Sequence, residues 1–345
     1  KVDIKFLNQL VLKGVLVEDR KKDTLLFADE LKANVTDWFI FKNKVEVKNV
    51  QLCDAVINLN RSDSIWNYQF LVDFFSTGKS KKTDKKDLAI DVDEIHLCNI
   101  RIYKTDKWVG QDMLLSVKKM DLIFDTFDLS QKKISFNSLV IDEPYFTQKS
   151  YTGNRPAYLK KPAGHAVSSN PNTLQWNAAG WQVAGKGIKL INGVYANEKL
   201  NNKLPNTYFD GSHMVFSAIN ATLENFSFLK DTLSAQINLQ TNERGGLQVK
   251  KLKAYFKFTP DIMEFSNLDL QTNKSRLGNY YAMHFNSFGK DMGNFIEKVT
   301  LELHLKSSEV NSDDIAVFAP ALKNWKKIFQ ISGDAKGTIQ DFKAK

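Results

Sequence analysis

The residue types that carry enzyme chemistry are few in this sequence, and their spacing does not assemble a reactive site. None of its five histidines has a second histidine at a metal-ligand spacing, and no Gly-x-Ser-x-Gly nucleophile elbow occurs. Asp91, Asp93 and Glu94 stand close together, but on an entering strand such carboxylates are most simply a solvated face. We therefore expect no catalytic residue, no metal and no cofactor, and a protein that is not an enzyme. The histidines are His96, His165, His213, His284 and His304.

Residues 180–186 match most of a phosphate-binding loop, which needs glycines, a lysine and then a hydroxyl residue at the start of a helix. Gly187 stands where the serine or threonine should bind magnesium. Ile188 and Leu190 then alternate with polar neighbours, which is typical of a strand rather than a helix. We therefore reject a nucleotide site here.

Two cysteines, Cys53 and Cys98, lie far apart in the sequence and form no Cys-x-x-Cys pair or metal-ligand spacing. Two interpretations stay open, a disulfide and a pair of small buried apolar residues, and the sequence favours the second because free cysteines are among the most buried residue types. Cysteine usage therefore does not decide the compartment.

The net charge of +9 is explained first by a solvated, mildly basic surface. Contact with acidic lipid headgroups is the second interpretation, and nucleic acid is the weakest because no nucleic-acid-binding signature occurs. Hydrophobic residues make up 43% of the chain and charged residues 25%, which are the values of a globular protein. No run approaches the roughly 18 apolar residues of a membrane span.

The elements that position these residues are set by a repeated eight-residue figure. In its first copy, from Leu10 to Val17, apolar residues occupy even positions before Gly14 and odd positions after it. Alternation indicates a strand with one buried face, and the shift of register requires a β-bulge at a residue that tolerates positive φ. Further bulges are predicted at Asn49, Asn99 and Asn267.

The apolar positions of all copies are predicted to share one face of the sheet. They are Leu10, Leu12, Val15, Val17, Val45, Val47, Val50, Leu52, Ile95, Leu97, Ile100, Ile102, Ile134, Phe136, Leu139, Ile141, Leu247, Val249, Leu252, Phe265, Leu268, Leu270, Leu301 and Leu303.

Such internal repeats predict an all-β fold, an elongated and repeated antiparallel sheet with a few short capping helices. Both ends of the sequence look cut, so we expect a piece of a longer chain. The units we predict are a first repeat at 1–76, a linker at 77–86, a second repeat at 87–146, a Gly/Pro-rich excursion at 147–186, a third repeat at 187–307, and a short helix with the start of a further unit at 308–345.

Some segments depart from the figure. Residues 24–35 are predicted to be a returning strand, with a helix at 25–31 as the alternative. Aromatic and aliphatic residues at helical spacing over 66–75 predict a short amphipathic helix, either a core piece or a mobile lid. Residues 38–41 are expected to cap an open edge, and the excursion at 147–186 to hold one short strand or hairpin.

The third repeat is predicted to end in a short helix. Ser312 is expected to be its N-cap, with the helix reaching Phe318, and a strand is expected at 328–339. The earlier strands of this repeat are predicted at 214–228, 233–241, 247–258, 263–270 and 280–288, and strict alternation is seen again at 299–305.

Three phrases of the sequence carry a family resemblance. They are Asp23-Thr24-Leu25-Leu26-Phe27-Ala28, the stretch from Arg61 to Phe70, and the stretch from Ser308 to Ile339 with its Phe318-Ala-Pro320-Ala-Leu322 and Ser332-Gly333-Asp334-Ala-Lys-Gly337-Thr338-Ile339. With the bulged figure, they resemble the TamB branch of the AsmA-like family, the translocation and assembly module proteins, in the version found in Bacteroidetes-type bacteria. The resemblance covers most of the chain and is weakest over 147–186.

The resemblance implies a long, twisted sheet curved into an open apolar groove, a β-taco, that spans the periplasm from an inner-membrane anchor. Family members are linked to phospholipid movement between the two membranes of Gram-negative bacteria, and to outer-membrane protein assembly with an Omp85-type (TamA-like) barrel. The family's amino-terminal anchor and carboxy-terminal domain are expected to lie outside this sequence, and with them the part expected to meet the barrel.

Physical chemistry is compatible with the lipid role, because strands that alternate apolar-in and polar-out could present a continuous trough to acyl chains. Each buried methylene of a chain would contribute about 0.8 kcal/mol. The same periodicity also fits a closed core. Bridge-like phospholipid transport is our first expectation, a scaffold for outer-membrane protein assembly or secretion the second, and an extracellular adhesive or structural β-repeat protein the third.

Overall fold

The computed structural model describes residues 2–5, 9–35, 44–76, 89–159, 174–204 and 207–345. Strand accounts for 64% of the structure and helix for 9%, so the predicted all-β class is confirmed. The strands join into one 17-stranded sheet. Strand formation follows from the alternation and from the many β-branched and aromatic residues, which pack well on a pleated surface.

The strands are long, and several of them have 18 residues. Their bounds are β1 Val2–Lys5, β2 Gln9–Glu18, β3 Thr24–Val35, β4 Lys44–Arg61, β5 Ala89–Asp106, β6 Gln111–Asp128, β7 Lys133–Asp142, β8 Tyr145–Ser150, β9 Gln182–Lys199, β10 His213–Leu229, β11 Thr232–Glu243, β12 Gln248–Phe258, β13 Ile262–Gln271, β14 Arg276–His284, β15 Thr300–Asn311, β16 Ile328–Gly337 and β17 Phe342–Ala344.

Neighbours in the sequence are neighbours in the sheet. Pairing is antiparallel from β1 to β4, from β5 to β6, between β6 and both β7 and β8, and from β9 to β17. The two exceptions are parallel, β4 with β5 and β9 with both β7 and β8. The short strands β7 and β8 lie end to end between β6 and β9 and together fill one strand position.

Each parallel step needs a crossover, because a hairpin joins only antiparallel strands. The first crossover contains helix α1, Gln69–Ser76, and the second contains the part of the excursion between β8 and β9. The remaining helices are α2 Phe288–Asp291, α3 Phe295–Lys298 and α4 Ser312–Ala316, with 3₁₀ turns at Ala157–Leu159, Met292–Asn294 and Pro320–Leu322.

Several local predictions are confirmed. Residues Thr24–Val35 form a strand rather than a helix, and the helical spacing after Trp66 gives α1. The excursion is shorter than predicted, since its ends belong to β8 and β9. The predicted strand at 280–288 ends at His284, where α2 follows after a short turn.

The N-cap predicted at Ser312 was wrong by one residue. Asn311 is the N-cap, and its side-chain oxygen accepts a hydrogen bond from the backbone N–H of Asp313 at 2.9 Å. Ser312 is instead the first residue of α4, and its buried Oγ accepts from the backbone N–H of Lys327 at 3.0 Å. The helix ends at Ala316 and does not reach Phe318.

Positive φ angles recur along the strands, and at Asn267 the angle coincides with a register shift. Three of the four predicted positions have them, with φ of 61° at Gly14, 54° at Asn99 and 53° at Asn267. Asn49 has no positive φ, but the register of β3 with β4 shifts beside it, between the pairs Asn34–Asn49 and Val35–Val47. In that strand the angle lies at Asp54, with φ of 51°, whose carboxylate accepts a hydrogen bond from the side-chain amide of Asn99 at 2.9 Å.

The predicted boundaries between repeat units do not interrupt the sheet. The parallel pairing of β4 with β5 carries it from the first unit to the second, and the pairing with β9 carries it into the third. The predicted linker at 77–86, the predicted cap at 38–41 and most of the middle of the excursion lie outside the described residues.

Cys53 and Cys98 are joined by a disulfide, which corrects the interpretation that the sequence favoured. They lie directly opposite each other in the parallel strands β4 and β5, with their Cα atoms 4.6 Å apart. The bond therefore fastens the two strands at the first crossover.

Candidate functional site

One face of the sheet is apolar from β2 to β14. Residues directly opposite each other in paired strands point to the same face, so the registers show which side chains share it. We call this face the inner face. Its central row contains one residue from each successive strand position: Leu12, Leu31, Leu52, Leu97, Met120, Ile141, Leu190, Ala221, Leu239, Leu252, Leu270 and Leu277.

Further apolar rows lie on both sides of the central row. The bulges keep the side chains beyond them on the inner face, as the cluster of Ala28, Ala55 and Ile100 with Val15 and Leu52 shows. One row is Leu10, Ala33, Val50, Ile95, Leu122, Leu139, Ile188, Leu223 and Ile237. A second is Val17, Leu26, Ile57, Ile102, Leu115, Phe146, Tyr195 and Phe216. A third is Ile134, Val183, Phe228, Leu233, Phe258, Met263, Met283 and Leu301.

The registers place the predicted apolar residues on this inner face, with two qualifications. Leu247 precedes β12 and lies in a turn, where its carbonyl accepts from the backbone N–H of Glu243 at 2.7 Å. The side chains of Val45 and Val47 lie outside the described part of the structure. Phe265 and Leu303 belong to the face through Tyr281, which is paired with both of them.

Most of the large inner-face side chains are half-buried. Ile100 is 5% exposed, and Phe136 and Leu268 are each 6% exposed, whereas Leu10 is 36% exposed. Every other predicted inner-face residue whose side chain is described has an intermediate exposure. A packed core of large aliphatic residues would bury most of them completely.

The residues that are fully buried on this face are small ones beside the bulges. Ala28 and Ala55 are paired across β3 and β4 and are 1% and 0% exposed. Ala235, in β11, is also 0% exposed and follows the irregular register between β10 and β11. Bulged strands bend and twist more strongly, which brings neighbouring side chains together and favours a single methyl group there.

The opposite face of the sheet, the outer face, is polar and charged. Its rows include Lys32, Gln51, His96 and Asp121 in successive strands, and the disulfide lies between such positions. His96 Nδ1 lies 2.7 Å from an Asp121 oxygen. Hydrogen bonding to Asp121 is the largest effect that raises the pKa of His96 above its ordinary value.

Two groups show how different the electrostatic environments of the faces are. On the inner face, burial raises the pKa of Tyr281 to about 12. On the outer face, a hydrogen bond from Lys336, supported by His284 and His304, lowers the pKa of Glu302 to about 2. Burial at Tyr281 therefore disfavours the charged form of that side chain, whereas the partners of Glu302 stabilise its charge.

Aromatic residues pack together along one edge of the inner face. We call this edge, with Trp176, Phe258 and Phe288, the Trp176 rim. Trp176 packs on Phe258 with ring centroids 4.7 Å apart, and Phe258 meets Phe288 of α2 at 5.0 Å. The segment is held by Asp231 in the turn between β10 and β11, whose carboxylate accepts from the backbone N–H groups of residues 175–177.

The opposite rim, which we call the α1 rim, is polar and holds a cavity of about 590 Å³. Here the inner-face rows end in charged residues, with the paired residues Arg61 and Asp106 ending β4 and β5. Arg61 Nε donates to Asp106 at 3.0 Å, and the guanidinium lies 4.5 Å from the ring centroid of Trp66.

Sequence reasoning missed part of this face. The predicted apolar residues include none from β3, β6, β9, β10, β11 or β14, although most of the inner-face residues there alternate with polar neighbours and could have been found from that signal. The aromatic contacts of Trp176 had no sequence signal, because they join residues from three separate segments.

Among the described residues, no group of histidine, cysteine and carboxylate side chains could hold a metal ion. No helix in the described part of the chain has the length and apolar character needed to cross a membrane. Comparison with protein-family models, with curated proteins and with solved structures found no match for this chain.

Proposed function

We propose that this chain is a segment of a periplasmic bridge that carries phospholipids between the inner and outer membranes, with acyl chains lying along the inner face. The role is binding and conduction, not catalysis. The proposal includes an inner-membrane anchor and an Omp85-type barrel partner outside this chain, as the resemblance to the TamB branch implies.

The observation that carries the proposal is the partial exposure of a continuous apolar surface. The central row runs from Leu12 in β2 to Leu277 in β14, and large side chains along it are half-buried. An open apolar groove has this pattern, because its lining side chains touch their neighbours in the sheet and still present a surface to a ligand. Acyl chains that cover this surface would be stabilised by about 25 cal/mol for each Å² removed from water.

The disulfide supports the proposed compartment. Disulfides persist in oxidising environments such as the bacterial periplasm and are rare in the cytosol. The bond between Cys53 and Cys98 lies on the outer face, away from the proposed lipid path, where it can stabilise the sheet without meeting the lipid.

Photo-crosslinking tests the proposal with a matched pair of sites. Leu139 and Val140 are consecutive in β7 and both half-buried, but Leu139 lies on the inner face and Val140 on the outer face. A photoreactive residue at Leu139, and a second at Ile188 in the paired strand β9, should form phospholipid adducts in cells with labelled lipid. The same residue at Val140 should form none.

Equal labelling of positions 139 and 140 would mean non-specific contact with membranes and would contradict a lipid path along one face. Absence of adducts at 139, 140 and 188 would mean that the inner face is covered by protein, and would favour an adhesive or structural role.

A second candidate function, a scaffold for outer-membrane protein assembly, is favoured by the edge at β16. In the described sheet β17 pairs only with Ala335 to Gly337, which leaves the opposite side of residues 328–333 unpaired. Ile328 is 59% exposed and Phe329 is 38% exposed. An extended client segment could add here as a further strand. Crosslinks from residue 330 to a client protein, absent from an outer-face control at Lys189, would support it.

A further inference from the structure

The cavity at the α1 rim lies where the inner face ends. It is formed by the turn between β2 and β3 and by the loop and helix that follow β4. Its volume of about 590 Å³ is large enough for a small polar ligand or for the polar end of a larger one.

Trp66 connects the cavity to the inner face. Its ring lies 4.5 Å from the Arg61 guanidinium and 5.7 Å from Lys104 Nζ. Lys104 is directly opposite Met113 on the inner face, and its ammonium lies 3.7 Å from the Met113 sulfur. The tryptophan therefore stands at the boundary between the apolar rows and the polar cavity. Ile65, in the same lining, is 62% exposed and adds apolar surface there.

The cavity carries both signs of charge. Arg61 is neutralised by Asp106, but Arg20, Lys21 and Lys107 have no carboxylate within ion-pair distance among the described residues. The Arg20 guanidinium is held over the ring of Phe70, at 5.9 Å from its centroid. These cations offer donors to an anion such as a phosphate.

Four aspartates line the cavity, and two of them, Asp63 and Asp23, can take the opposite charge. Asp19 accepts hydrogen bonds from the backbone N–H groups of Lys21 and Asp23, and Asp73 accepts one from the side chain of Gln69. Asp63 uses one oxygen to accept from the backbone N–H of Ile65 at 2.8 Å, which fixes the side chain. Asp23 also lines the cavity, beside the cationic turn, and is exposed. Within the described structure neither carboxylate lies within ion-pair distance of a cationic side chain, so both are available to an ammonium group.

From this arrangement we propose that the cavity binds the headgroup of a zwitterionic phospholipid, with the phosphate near Arg20 and Lys107, the ammonium near Asp63 and Asp23, and the acyl chains directed past Trp66 onto the inner face. The inference rests on the proposed function and adds its substrate class. The headgroup chemistry, a phosphate ester linked to an ammonium, could also come from a free polar ester, and the test separates the two sources.

Titration calorimetry with short-chain ligands tests the headgroup site on the whole chain. The probes are dioctanoyl phosphatidylethanolamine, dioctanoyl phosphatidylglycerol, uncharged dioctanoylglycerol and chain-free glycerophosphoethanolamine. Arg20→Gln combined with Lys107→Gln should lower the affinity for both phospholipids about tenfold, because the phosphate loses its partners. The affinity for dioctanoylglycerol, which has no phosphate, should be unchanged.

The acidic pair gives the second half of the test. Asp23→Asn with Asp63→Asn should lower the affinity for phosphatidylethanolamine about fivefold. The affinity for phosphatidylglycerol should be unchanged, since this lipid has no ammonium group. The amide at position 63 keeps an oxygen for the backbone of Ile65. For the variant that lacks Arg20 and Lys107, the control is Lys253→Gln on the outer face, which also removes positive charge and should leave the binding of both phospholipids unchanged.

Each negative result contradicts a different part of the proposal. If both pairs of variants bind the phospholipids like wild type, the headgroup site is wrong while lipid binding by the inner face stands. If no probe with acyl chains binds, the proposed function is wrong. If glycerophosphoethanolamine binds as tightly as the lipid, the cavity takes a free polar ester and the lipid source is wrong.

Discussion

At the residue scale, burial differs sharply between neighbouring side chains of the inner face. Ala55 is completely buried against Ala28 and Ile100. Larger residues in the same rows are half-buried and have room on one side. Tolerance to substitution should therefore vary sharply between neighbouring positions of a single strand.

Ala55→Leu should lower the free energy of unfolding by about 1–3 kcal/mol, because the added methyl groups have no space between Ala28 and Ile100. Urea denaturation followed by circular dichroism measures the change. Ala184→Leu, at an exposed position in β9, is the control and should change stability by less than about 0.5 kcal/mol. If Ala55→Leu lowers the free energy of unfolding no more than Ala184→Leu does, the structure around Ala55 has room for the larger side chain.

His96 should make stability depend on pH. Its pKa is raised by hydrogen bonds with Asp121 and with Glu94, and Lys119 also faces Asp121 at 2.8 Å. A raised pKa in the folded state means that protonation stabilises the fold. The contribution is complete below the unfolded value of about 6.5 and is lost as pH rises through the folded pKa.

Because His96 is about one-third exposed, the pair is screened by solvent. Wild type should exceed His96→Gln in stability by at most about 1 kcal/mol near pH 5.5, and the difference should vanish near pH 9. Urea midpoints measured across this range test it. A difference that grows with pH would contradict the assigned hydrogen bonds.

At the element scale, the disulfide holds the first of the two parallel steps in the sheet. Parallel pairs cannot be closed by a hairpin, so β4 and β5 are joined only through a long crossover. The bond links strands whose cysteines are 45 residues apart in sequence. It constrains the unfolded chain more than a short loop would.

Cys53→Ser with Cys98→Ser should lower the free energy of unfolding by about 2–4 kcal/mol, since the unfolded chain regains the entropy of an open loop. Thermal unfolding with and without a reductant measures this. Reductant should lower the melting temperature of wild type toward that of the double variant, and should not change the variant. An unchanged wild type would mean that the cysteines are not bonded.

At the scale of the whole molecule, the sheet has two chemically different faces that run through all predicted repeat units. The inner face is continuous across both parallel steps, because the registers of β4 with β5 and of β7 with β9 align apolar residues with apolar residues. Long-range continuity is what a lipid path needs, since a single polar interruption would block it.

Ile188→Lys tests continuity, because it places a charge in the middle of the inner face in β9. Transfer of fluorescent phospholipid between vesicles by the purified chain should fall at least about tenfold, since a lysine among acyl chains costs roughly 2–3 kcal/mol. Val140→Lys, on the outer face of the paired strand, should leave transfer unchanged. Equal effects of the two variants would contradict the path.

Local sequence patterns determined much of this structure. The alternation around Gly14, Asn99 and Asn267 predicts the strands, their apolar face and three positions of positive φ, because side-chain direction and positive φ depend on neighbouring residues only. In β4 the register shift lies beside Asn49, whereas the positive φ lies at Asp54. Asp54, which has the positive φ, also belongs to a residue type that tolerates it, so composition alone did not separate the two.

Only the tertiary structure decided how the strands are joined. The parallel steps, the bond between Cys53 and Cys98, the Trp176 rim and the charged cavity all bring together residues that are distant in the sequence. A period of two residues fixes which face a side chain takes but not which strand lies beside it. The sequence by itself therefore determined an all-β chain with one apolar face, and pairing between distant segments decided that this face is continuous and where it meets charge.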